Sequence, residues 1–162
     1  MKTFCASVLL AVAAASPIYA LDLVQVGTAG DWVIMQDPNK DNACLTQATL
    51  SDGTIVRIGL EDKGKKGFMS TFNAAWAEFK LDKKYPISYT LDDASFEGEA
   101  HGRELNGLPG VQIDYNNADF LVDLAEKKVL TFFANGAEIE KFELKGSEEA
   151  IKAVLACQAA QG

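Results

Sequence analysis

His101 is the only histidine in the chain. Its neighbours Glu97, Glu99 and Arg103 stand at every second position of a run that alternates with Phe96, Gly98, Ala100 and Gly102. On an extended strand, residues two apart share a face at a spacing of about 7 Å, so carboxylates, imidazole and guanidinium fall on one side. That grouping has the ingredients of a metal site or of general acid–base chemistry, including a hydrolase built on His101. The same alternation is also the pattern of a strand whose outer face meets water, and this plainer reading is favoured. There is no Gly-x-Ser-x-Gly, and any histidine-based triad would have to use His101.

The other polar groupings are weaker. Asp37-x-Asn39-x-Asp41 begins like a calcium loop, but Asn42 stands where such a loop needs Gly and Ala48 where it needs a bidentate Glu, so an ordinary turn is expected. Asp92-Asp93 reads as a hairpin tip, because adjacent strand residues point to opposite faces. Lys63, Lys65 and Lys66 could dock an acidic partner, but read as charges that keep an edge soluble. The aromatics Trp32, Trp76, Phe79, Tyr85, Tyr89, Phe132 and Phe133 either line an apolar-ligand cavity or fill a core, and the core is favoured. No cofactor or metal is expected from these residues.

The termini set the context in which such residues act. Lys2, the apolar stretch through Val8 to Ala15, the break at Ser16-Pro17 and the small residue Ala20 follow the pattern of a secretory signal peptide over residues 1–20. The stretch is too short to span a bilayer, and Cys5 falls in the discarded segment. One β-rich domain, 21–162, remains, long enough for a single core. The net charge of −8 repels phosphate backbones and anionic headgroups, so nucleic acid is excluded as a partner, and no membrane span follows the leader. In an oxidising compartment the two remaining thiols, Cys44 and Cys157, are expected to pair. A loop of about 113 residues closed in this way gains about 4 to 5 kcal/mol in the chain-entropy model.

The periodicity predicts antiparallel strands over Asp31–Met35, Cys44–Leu50, Thr54–Leu60, Gly67–Phe72, Tyr85–Leu91, Ser95–Arg103 and Gly110–Tyr115. Pro86 cannot donate to a ladder, so its end of the strand should sit at an edge. Ala74–Leu81 fits both helix and strand spacing. Asn116-Asn117 offers caps for a helix over Ala118–Lys128. Asn135-Gly136 predicts a type I′ turn between Val129–Ala134 and Ala137–Leu144, with a bulge near Glu140 to keep Phe142 and Leu144 inside. Ser147 is the expected N-cap of a terminal helix to about Ala159, which should leave the core near Gln158. Together these predict a mainly β fold, an antiparallel β-sandwich or flattened barrel, with one short helix and a C-terminal helix packed on a sheet.

Three segments, Gly30-Asp31-Trp32-Val33, Cys44-Leu45-Thr46-Gln47 and Phe142-x-Leu144-x-Gly146-Ser147-x-x-Ala150, resemble those of the invasion-associated locus B family of small exported alphaproteobacterial proteins. The resemblance implies a β-sandwich, a periplasmic or surface location in a host-associated bacterium, and no catalytic residues to carry over. The expected function is that of an exported, non-catalytic envelope protein, periplasmic or secreted, that binds another envelope or host protein. A small apolar-ligand carrier and a hydrolase using His101 are the alternatives.

Overall fold

The computed structural model describes residues 22–161; the expected leader, with Cys5, lies outside them. Ten strands and two helices follow in chain order: β1 (Val24–Ala29), β2 (Trp32–Asp37), β3 (Ala43–Thr49), β4 (Ile55–Glu61), β5 (Lys66–Phe72), β6 (Lys84–Leu91), β7 (Ala94–Leu105), β8 (Leu108–Tyr115), α1 (Asp119–Ala125), β9 (Val129–Ala134), β10 (Ala137–Glu143) and α2 (Ser147–Ala159). The fold is mainly β and antiparallel, as expected, with α2 packed on the sheet. The strands form one open sheet in the order β1-β2-β3-β4-β5-β8-β7-β6-β9-β10. Its two ends curl toward each other: the indole N–H of Trp32 on β2 donates to the carbonyl of Lys145 just beyond β10, at 3.0 Å.

Turn chemistry explains most of the register. Asn135 and Gly136 both carry positive φ, as a type I′ turn requires. The bulge of β10 falls at Ile139, between Glu138 and Glu140, so Phe142 pairs with Leu130 and both reach the core. Pro86 pairs with Glu99 on β7, while β9 ends opposite Ile87, so Pro86 has no strand partner on that side.

Several expectations are corrected. The first strand is β1, before Trp32, where Val24 and Val26 lie half exposed on an edge. Ala74–Leu81 is neither helix nor strand: two successive turns, with Trp76 N–H donating to Asn73 O and Phe79 N–H to Trp76 O, drop both rings inward three residues apart. Helix α1 is shorter than expected and has no side-chain cap; Ala118, not Asn116 or Asn117, occupies the N-cap position. Ser147 is likewise no cap. It is the first residue of α2, preceded by Gly146 at φ 76°, and its buried hydroxyl has no hydrogen-bond partner among the described residues. The close packing expected around the small residues of β7 holds only at one end. Gly98 faces open space and Phe96 is 40% exposed, stacked on Tyr89, whereas a Cβ at Gly102 would run into the Lys80 carbonyl.

The inner face of the curled sheet carries Ile34, Val56, Ile58, Met69, Val111, Ile113, Leu130 and Phe132, and α2 closes it with Ile151 and Val154. Rings meet one another in this core: Trp76 meets Phe79 edge-on at 6.1 Å, Phe79 meets Tyr85 at 5.0 Å, and Phe132 lies 6.0 Å from Phe142. Phe133 is turned to the other face of the sheet, where it lines a surface hollow beside Pro86.

Cys44 on β3 and Cys157 on α2 form the disulfide, with Cα atoms 6.0 Å apart. Gln158 does not leave the body of the protein. Its Oε1 accepts the Cys44 N–H at 3.1 Å, and its Cγ packs over Gly64 in the β4–β5 turn. Replacing both cysteines with serine is expected to cost up to about 4 to 5 kcal/mol, read from urea unfolding as a lower midpoint. Gly102→Ala should destabilise by about 1 to 3 kcal/mol through overpacking, while Gly98→Ala stays within about 0.5 kcal/mol of the parent; equal effects would contradict the packing described.

Candidate functional site

The four residues singled out by spacing sit on β7 as expected, but they do not converge. Glu99 Oε1 accepts from Lys84 Nζ at 2.6 Å and lies 3.8 Å from His101 Nε2. Arg103 pairs with Asp82 at 3.4 Å, and Glu97 borders the separate hollow near Pro86 and Phe133. The imidazole is about one-third exposed and Glu99 half exposed. Glu99 and Arg103 are thus paired with separate partners on neighbouring segments, and the four residues are spread along a strand of 12 residues.

Across the strands, however, His101 belongs to a continuous polar rung. Gln47 on β3 pairs with Arg57 on β4, Arg57 with Ser70 on β5, Ser70 with Gln112 on β8, Gln112 with His101 on β7, and His101 with Lys84 on β6. Directly paired residues share a face, so these six side chains cross the outer surface of the sheet in one row. Nothing along the chain signals this row, because its members are up to 65 residues apart in sequence and each looks like one polar position in an alternating strand.

Arg57 lies at the centre of this face, on the floor of a pocket of about 170 Å³. Phe68 and Phe72 on β5 and Leu45 on β3 are its apolar walls, and all three are buried. Leu23 overhangs from the start of the chain and Leu105 from the β7–β8 turn. Burial of the Arg57 guanidinium pulls its pKa below the ordinary arginine value, against the opposing charge of Asp37. Gln47 Oε1 accepts its Nε–H at 2.8 Å and fixes the head-group. Asp37 itself is occupied, because its Oδ1 accepts the Asn39 N–H at 2.9 Å and so closes the turn that resembled a calcium loop. Among the described residues, no group of three or more His, Cys, Asp or Glu side chains is placed to hold a metal ion.

A second polar cluster joins the β3–β4 turn to β10. Asp52 accepts from the Thr54 N–H at 2.9 Å and from its hydroxyl at 2.8 Å. Thr54 Oγ1 also lies 3.2 Å from Glu140 Oε2, and Asn73 Nδ2 donates to Thr54 Oγ1 at 2.7 Å. The Thr54 hydroxyl has one proton and two carboxyl neighbours, so the contact with Glu140 is best made when Glu140 carries a proton. The titrations diverge accordingly. Hydrogen bonds from Thr54 hold Asp52 below the usual carboxylate range, whereas burial, helped by the charge of Asp52, raises Glu140. The bulge at Ile139 explains the burial, since it places Glu140 opposite Phe132 on the inward side of an edge strand.

Asp92 is a hairpin-tip residue, as expected, and it also fastens two elements. Its Oδ1 accepts from Lys128 N and Val129 N, both at 3.0 Å, which ties the β6–β7 turn to the start of β9. These two backbone hydrogen bonds lower its pKa. Lys63 and Lys65 are exposed in the β4–β5 turn, and Lys66 reaches Asp62 at 4.0 Å.

The direction of the Glu140 shift sets a pH dependence. A carboxyl raised on folding stabilises the native state while protonated, and that contribution is lost as pH rises from the unfolded pKa through the raised folded one. Glu140→Gln supplies an amide N–H donor to the Thr54 hydroxyl in place of the carboxyl proton and removes the charge. It is expected to raise the thermal midpoint at pH 7 and to leave it unchanged at about pH 3, where the parent residue is protonated; a lower midpoint at pH 7 would contradict the assignment.

No known sequence family matches the chain, and neither does any curated protein. Among solved structures, the chain is similar to the crystal structure of invasion associated protein B from Bartonella henselae, at 17% identity and a TM-score of 0.60, over 82% of this chain and 97% of that one. Trp32 and Gly146, two residues of the segments that carried the resemblance in sequence, touch each other, as do Cys44 and the terminal helix. These segments thus serve the architecture, and the chain has the fold of invasion associated protein B.

Proposed function

We propose that the protein is exported to the periplasm or beyond the cell, and that it acts there by binding another macromolecule of the envelope or of a host, without catalysing a reaction. Three things support this reading. The disulfide belongs to an oxidising compartment. The fold is that of a protein whose name associates it with invasion. Most directly, the outer face around Arg57 combines apolar walls with a fixed cationic group and a polar rung of amide and hydroxyl side chains. That mixture of anchor and satisfied rim is what recognition surfaces use. Among the residues with acid–base potential, Glu99, Arg103 and Asp92 are engaged by ion pairs or backbone contacts.

The test is affinity capture with the immobilised, oxidised protein from envelope extracts of the cells that make it and from host-cell membranes. The expected result is a defined component retained by the parent protein and lost with Arg57→Glu, which reverses the charge at the centre of the face. Retention of nothing from either source, or turnover of a reporter substrate that His101→Ala abolishes, would overturn this reading.

A further inference from the structure

Three cations line the pocket on the outer face: Lys40, Arg57 and Arg103. Two are committed. Lys40 Nζ lies 2.5 Å from Glu61 Oε1, and Arg103 pairs with Asp82. Arg57 differs. Its only hydrogen bond among the described residues runs from Nε to Gln47, and no carboxylate oxygen of those residues lies within 4.0 Å of it. Its two terminal nitrogens therefore make no hydrogen bond among the described residues and feel only the more distant charge of Asp37, which leaves an open fork in the lining of a concave site. A guanidinium in that state is a pre-organised receptor for a planar, two-oxygen anion. The buried rings of Phe68 and Phe72 beside it exclude water and strengthen such a pairing. The Ser70 hydroxyl, next on the rung, lines the pocket and makes no hydrogen bond among the described residues.

The surroundings narrow the class of anion. Asp37 and Glu104 border the same pocket, and the chain as a whole carries −8. Two nearby carboxylates favour a singly charged guest over a phosphate dianion, and the overall charge disfavours any polyanion. They can also accept N–H groups, which a peptide backbone supplies. A volume of about 170 Å³ has room for one residue with its end group, not for a chain passing through, and its walls are apolar.

Resting on the reading of the protein as a binding module, we infer that the Arg57 pocket receives the C-terminal carboxylate of a partner polypeptide that ends in an apolar residue. The carboxylate pairs with the Arg57 fork, the last side chain lies against Phe68 and Phe72, and the preceding amide faces Asp37 or Glu104.

The experiment uses the full oxidised protein on a peptide array whose last four positions vary, printed once with free C-terminal carboxylates and once as C-terminal amides. Enrichment of sequences ending in an apolar residue is expected on the free-acid array alone. The best such peptide should bind in solution at least about ten-fold more tightly than its amide, the scale of a charged hydrogen-bonded contact. Arg57→Gln should remove that difference, and Arg57→Lys should restore part of it, with thermal midpoints confirming that both variants fold. Equal binding of acids and amides, enrichment of nothing, unchanged binding by Arg57→Gln, or full competition by inorganic phosphate at the peptide's own concentration would each overturn the inference. Its failure is separable from that of the broader reading: if Arg57→Gln still captures the component retained by the parent from extracts, the protein binds a macromolecule but not through this pocket.

Discussion

The union of Cys44 and Cys157 joins points 113 residues apart and determines what the curled sheet can be. Helix α2 crosses β1 to β4 and is the lid over Ile34, Val56 and Ile58, whose burial provides the hydrophobic stabilisation of that half of the molecule. Held by packing alone, a 13-residue helix at the end of a chain would fray. Here three attachments fix both of its ends: the disulfide and the Gln158–Cys44 hydrogen bond at one, and the Trp32–Lys145 hydrogen bond at the other. Because Lys145 lies two residues beyond β10, the last of these also brings β2 close to the opposite end of the sheet.

With the inner face filled by rings and covered by α2, any recognition surface is left to the outer face and the edges. On the outer face Leu45, Phe68 and Phe72 are all buried, with at most 7% exposed. The side chains of Leu23 and Leu105 lean over them, and Arg57 remains at the bottom of the resulting hollow. Gly59 on β4 makes the closeness possible, since a Cβ there would meet Leu45 and Phe68 below 3 Å.

Features encoded within a few residues were legible in the sequence: the type I′ turn at Asn135-Gly136, the bulge of β10 and the extent of α2; the pairing of Cys44 with Cys157 was legible too, from cysteine number alone. The identical Asn106-Gly107 turn between β7 and β8, both residues at positive φ, carries the same signal and extends both strands beyond the expected Arg103 and Gly110. Strand β1 was missed because its alternating valines sit on an exposed edge and have no buried counterpart. Ser147 misled because its residue type suits a cap, while the left-handed Gly146 in front of it does the geometric work. The candidate site was not legible at all. Gln47, Arg57, Ser70 and Gln112 become neighbours only through strand pairing across the sheet, and local spacing pointed instead to β7, where Glu99 and Arg103 pair with Lys84 and Asp82 on other segments.

The order of strands bears on how the chain finds this arrangement. Strands β6, β7 and β8 form a meander closed by short turns, yet it sits in the sheet in reverse, with β5 against β8 and β9 against β6. Pairing β5 with β8 directly would close a loop of nearly forty residues, but once the meander exists only the segment between β5 and β6 remains to be closed, and loop entropy falls accordingly. The three central strands are thus a template with two free margins, to which the N-terminal and C-terminal halves of the sheet attach independently. Asp92, which grips the first amides of β9 from the tip of that meander, lies where the second attachment begins, so its carboxylate serves assembly of the sheet as well as its finished form.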